Sequence, residues 1–156
     1  MILGNLFKKS HMSGFRIKAP FLEIEWTPNT ADKNAAWELY IELLTRVSTQ
    51  GLAPDHGDEE TALNSIHSLF EITRDVIKSN KSDCIEFAKI AIVILNQVVR
   101  PFTAKWHKLK LEGGFEQEDS RQKFREELSQ LQVQLKNYTK MLAIIAEVED
   151  ITDIEG

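Results

Sequence analysis

Arg100 and His107 are the residues whose types and spacing most readily suggest chemistry. Seven residues on a helix turn through about 700°, so both project from nearly the same side, roughly 10 Å apart along the axis. Other candidate constellations are weaker. Glu38 and Glu42 can be read as paired carboxylates, and equally as a solvated helix face. His67 and Glu71 stand four residues apart, but the Glu-x-x-His pairing of di-iron bundles is missing. The four histidines (His11, His56, His67 and His107) fall in separate segments, so no metal is expected. Cys84 near a helix start could carry a lowered pKa, although a free cysteine more often serves as a small core hydrophobe. Gly113-Gly114 lacks the flanking pattern of a nucleotide loop, and no Gly-x-Ser-x-Gly elbow occurs. No cofactor is expected.

The text around the first pair is Asn96-Gln97-Val98-Val99-Arg100-Pro101-Phe102-Thr103-Ala104-Lys105-Trp106-His107. Arginine followed after six residues by histidine resembles the loosest form of the HEPN-domain ribonuclease motif. That resemblance implies a helical bundle pairing two such motifs across a dimer. It would assign His107 to the ribose 2′-hydroxyl or leaving group and Arg100 to phosphate charge. Pro101 departs from the family's usual polar residue, and some fifty residues follow a motif that normally lies late. Read without the resemblance, Phe102 and Trp106 pack into the core while Arg100, Lys105 and His107 fringe them with solvated heads. A second pattern, Ala35-Ala36-Trp37-Glu38-Leu39-Tyr40 with Leu95-Asn96, Arg100-Pro101-Phe102 and Lys105-Trp106-His107, is similar to a group of small uncharacterised bacterial proteins. It implies a bacterial origin and a bundle, with no activity attached.

The elements that must position these residues are helical. The chain has 156 residues, 42% hydrophobic and 28% charged, enough for one domain with a real core. A net charge of −5 disfavours general binding to nucleic acid or anionic membranes. The single cysteine forms no intrachain disulfide and fits a reducing cytosol, so a cytoplasmic location is expected. Met1–Phe7 is apolar but short, and the lysines follow it, so it does not read as a secretory signal.

Phe15-Arg16-Ile17-Lys18 and Phe21-Leu22-Glu23-Ile24-Glu25-Trp26 alternate with the period of a half-buried strand, predicting two extended pieces or a loose hairpin. A first helix should begin near Asn29-Thr30-Ala31-Asp32. Trp37, Tyr40 or Ile41, Leu44 and Val47 recur along it at helical spacing. A second runs from Asp58 to Ser79 with Leu63, Ile66, Phe70, Thr73 and Ile77 inward. A third starts after Ser82 or Asp83 and is apolar on nearly every side, and Pro101 should kink it or end a first half. In the fourth, Phe124, Leu128, Leu131, Leu135, Tyr138, Leu142 and Ile145 form a heptad seam.

The expected architecture is therefore an all-α, antiparallel four-helix bundle with a short extended arm. The arm occupies residues 1–30, the bundle 31–149 and an acidic, fraying tail 150–156. The leading functional expectation is a non-catalytic protein–protein interaction module of a bacterial cytoplasmic system, binding a protein partner or itself. Partner-binding candidates are Arg100, Phe102, Lys105, Trp106, His107 and Trp26. The alternatives are a HEPN-like ribonuclease using Arg100 and His107 on RNA, and a membrane-proximal effector using Ile2, Leu3, Leu6 and Phe7 with Lys8 and Lys9.

Overall fold

A computed structural model describes residues 7–9, 15–19, 22–52 and 58–155, with side chains from Glu25 onward. It is mostly helical. The extended arm forms three strands rather than two: β1 (Phe7–Lys9), β2 (Phe15–Ala19) and β3 (Leu22–Trp26). They pair antiparallel in the order β1-β2-β3, with Phe7 opposite Ile17 and Ile17 opposite Ile24. β1 had no sequence signal, because three residues are too few to show a period. The membrane contact expected of residues 1–9 falls on side chains outside the described set, as do His11 and His56.

Helix α1 (Thr30–Leu44) starts where the capping pattern placed it. Asn29 accepts the Asp32 N–H at 2.8 Å, and the Asp32 carboxylate accepts the Asn29 N–H at 3.1 Å. Asp32 does more than close this box, for it is only 1% exposed. One oxygen also accepts the Trp26 indole N–H at 3.1 Å, and the other accepts the Phe87 backbone N–H at 3.1 Å. One carboxylate thus holds the end of β3, the first turn of α1 and the first turn of α3 (Ile85–Ile94). Two helix N-termini, each with partial positive charge, converge on it.

The face α1 buries takes the Tyr40 alternative of the expected series and leaves out Trp37. Ala35, Ala36, Leu39, Tyr40 and Leu43 are buried, whereas Trp37 is 46% and Ile41 37% exposed. The inward face combines two alanines with the large Leu39, Tyr40 and Leu43. Scoring by size had favoured the larger Trp37. The last carbonyls of α1 are met by side chains beyond it. Ser48 and Thr49 hydroxyls donate to Leu43 O at 2.8 Å and the Gln50 amide to Leu44 O at 2.9 Å, while Gln132 of the last helix donates to Val47 O and Gln50 O in the segment that follows, at 2.6 and 2.8 Å.

Helix α2 (Glu59–Asn80) is capped by Asp58 and buries Leu63, Ile66, Phe70 and Thr73. A 3₁₀ turn at Lys81–Cys84 leads into α3. α3 passes without a break through a π segment (Leu95–Val99) into α4 (Arg100–Leu111). The widened turn stands just ahead of Pro101, which lacks an N–H and would crowd the carbonyl four residues back in an ordinary helix. The Arg100 N–H reaches Leu95 O instead. Pro101 therefore changes the helical pitch and does not end the helix.

Gly113, at φ +80°, turns the chain after α4. A Cβ on Gly114 would stand 2.8 Å from Leu109 O, which excludes a larger residue there. α5 (Glu118–Ala146) follows, and all seven residues of its expected seam are buried. It also buries Thr139, Met141 and Ala143, so its apolar face is wider than a two-position seam, as suits a helix packed by several neighbours.

Residues 150–155, given above as a fraying tail, are tied back to α1 and α5. The Ile151 N–H donates to the Tyr40 hydroxyl at 2.8 Å, and Lys140 pairs with Asp153 at 2.8 Å. Among the described residues no helix is long and apolar enough to cross a membrane.

Candidate functional site

α4 turns Phe102, Thr103 and Trp106 inward, which sets Arg100 and His107 on its flank. α2 brings His67 and Phe70 to that flank, because the seam Ile66–Phe70 leaves His67 at its edge. Arg100 donates through Nε and Nη2 to Asn96 Oδ1 at 3.0 and 2.9 Å, and its guanidinium lies 4.7 Å from the centre of the Phe70 ring. His67 lies 5.6 Å from Phe70, and the His67 and His107 rings meet edge-on at 5.0 Å. The result is one row across α2 and α4: Arg100, Phe70, His67, His107. Lys105 points the other way, to Glu127 on α5 at 2.8 Å and 5.3 Å from the Trp106 ring.

The row's chemistry is that of two imidazoles, His107 half-buried and His67 exposed, beside an exposed guanidinium. His107 is held below the usual histidine range, first by burial of its ring, then by His67 and Lys110 nearby. Its Nε2 is buried without a protein partner. The native state thus favours neutral His107, a contribution complete above the ordinary imidazole pKa and lost as pH falls below it. The melting temperature is expected to drop between pH 7 and pH 5, and His107→Gln should remove part of that drop. An unchanged slope in the variant would show that His107 does not carry it.

Three of the partner-binding candidates are core side chains: Trp26 is 7%, Phe102 8% and Trp106 0% exposed. Trp106 stacks on Phe115 at 6.0 Å and meets Phe124 edge-on at 5.2 Å. Arg100 and Lys105 are exposed and His107 half-buried, so only these three of the candidates can meet a partner. The proposed carboxylate pair is not free for joint chemistry. Glu42 is bound to Arg46 at 2.9 Å, and Glu38 accepts from Asn80 at 3.3 Å.

Cys84 is fully buried. Burial pushes its thiol up, and the Asp32 charge adds to this. Reaction of the native protein with a thiol-specific disulfide reagent is expected to be slow and to follow unfolding. Fast labelling at neutral pH would contradict that environment. Among the described residues no group of three or more His, Cys, Asp and Glu is placed to hold a metal.

A second surface lies on the outer face of α1. Ile41, Leu44, Ile151, Thr152 and Ile154 line a groove of about 340 Å³ between α1 and the C-terminal turns. Ile154 is 73% and Ile151 36% exposed, and Trp37 stands one helical turn before Ile41. The hydrogen bond from Ile151 to Tyr40 holds these turns to α1, and the Lys140–Asp153 pair holds them to α5. Of the helical series Trp37, Tyr40 or Ile41, Leu44 and Val47, Tyr40 is buried and Leu44 and Val47 pack partly against the core, while Trp37 and Ile41 lie on the outer face. Only the alanines opposite Trp37 and Ile41 reveal that these two face out. Comparison with known proteins adds no guide: no family model, curated protein or solved structure matches the chain.

Proposed function

We propose that the chain is a non-catalytic helical interaction module, an antiparallel four-helix bundle that binds a protein partner or itself. The observation that carries this reading is the apolar strip of Trp37, Ile41, Ile151 and Ile154 on α1 and the C-terminal turns. Single exposed apolar residues are ordinary, but a contiguous set around a groove marks a contact surface. An exposed tryptophan at its edge is the residue type that most often anchors such contacts. Trp37→Ala is expected to weaken association at least about tenfold in a binding titration while leaving stability within about 0.5 kcal/mol, since the residue is surface-exposed. Retained association in that variant would remove the strip from the account.

A second reading is favoured by the row on α2 and α4. Arg100, His67 and His107 share one face, as a ribonuclease of the HEPN kind would require of its arginine and histidine. On that reading purified protein degrades RNA, and His107→Ala abolishes cleavage with helicity intact. Cleavage that survives the substitution rejects it.

A further inference from the structure

We propose that the groove between α1 and the C-terminal turns receives the N-terminal segment of a second copy of this chain. This rests on the interaction-module reading and names its partner. Charge singles out that occupant. Residues 147–155 carry Glu147, Glu149, Asp150, Asp153 and Glu155 with no base among them, and Glu155 itself lines the groove. Lys33 and Lys140 take up Glu147 and Asp153, but Glu149 and Glu155 make no ion pair among the described residues. Residues 1–22 are the converse: they hold no acid, so all 24 acids of the chain lie beyond them, and while Arg16 and Lys18 stand opposite Glu25 and Glu23 in the β2–β3 ladder, Lys8 and Lys9 stand opposite no acid. The same segment carries Ile2, Leu3, Leu6 and Phe7, apolar residues suited to a groove walled by isoleucine and leucine.

A second copy fits better than the chain's own arm. β1 pairs with β2 and β2 with β3, and β3 ends at Trp26, fixed to Asp32 in the first turn of α1. The groove begins at Ile41, about three helical turns further along. Two copies exchanging segments reciprocally would satisfy both grooves under one two-fold axis, a closed arrangement.

The test measures the mass of the full chain in solution by light scattering, at low and high salt. The expected result is a dimer that high salt weakens. Ile154→Glu, at a position too exposed to disturb the fold, should raise the dissociation constant about tenfold or more, and Ile41→Glu likewise. Lys8→Glu/Lys9→Glu alone and Glu149→Lys/Glu155→Lys alone should each weaken the dimer, and mixing the two variants should restore it as a heterodimer. A dimer indifferent to the charge reversals would overturn segment exchange while leaving the interaction reading standing. A wild-type monomer would overturn the exchange as well. Binding of a different protein through Trp37 would then keep the module reading alone.

Discussion

Replacing Asp32 with alanine is expected to cost on the order of 4 kcal/mol and to loosen three elements together. The substitution strips the acceptor from the Trp26 indole, the Asn29 N–H and the Phe87 N–H, all beside a side chain that is 1% exposed. A buried donor left without an acceptor costs about 1–3 kcal/mol, more where the lost partner was charged. Water entering the space would recover part of this, so the total falls below the sum. Asp32→Asn keeps the shape and one acceptor oxygen but turns an amide donor toward other donors, and a cost of about 2 kcal/mol is expected. Trp26→Phe removes a single donor and keeps most of the packing, and should cost about 1 kcal/mol. Denaturant titration checks the ranking. A loss below about 1 kcal/mol in Asp32→Ala would mean that the three contacts are not shared through this carboxylate.

Trp106→Ala should be comparably severe, at about 3–5 kcal/mol, because the indole is the largest fully buried side chain and leaves a cavity among Phe102, Phe115 and Phe124. Trp106→Phe should be far milder. Its Nε1 has no protein partner, so the substitution removes volume without orphaning an acceptor. The contrast with Trp37→Ala separates the two tryptophans cleanly: one belongs to the fold and the other to the surface. Equal destabilisation by both alanine variants would contradict the burial assigned here.

The helices were legible where local rules and burial agree. The α5 seam needed only spacing, since every large apolar residue in it also faces inward. The α1 and α2 starts were visible as Asn29–Asp32 and Asp58 followed by Glu59 and Glu60. Three features escaped. The inward face of α1 rests on Ala35 and Ala36, and alanine carries little weight in a periodicity argument, so Trp37 drew the assignment to the wrong side. The second task of Asp32, at the start of α3, joins residues 55 apart, and no local pattern records it. The π segment ahead of Pro101 is a response to a missing donor, which sequence marks as a break and the helix absorbs as a change of pitch.

The candidate site was legible in part for a similar reason. Spacing alone put Arg100 and His107 on one side of α4, but His67 joins them only through the packing of α2 on α4. The C-terminal acids looked like a solvated tail, since Tyr40, the group that fixes them, lies more than a hundred residues earlier.

Self-association is assigned to the outer face of α1 and the C-terminal turns. Amide hydrogen exchange on the full chain, compared between concentrated and dilute protein, tests this directly. Added protection of residues 148–155 is expected at high concentration, with residues 96–107 unchanged. Protection confined to residues 96–107, or none at either place, would contradict it.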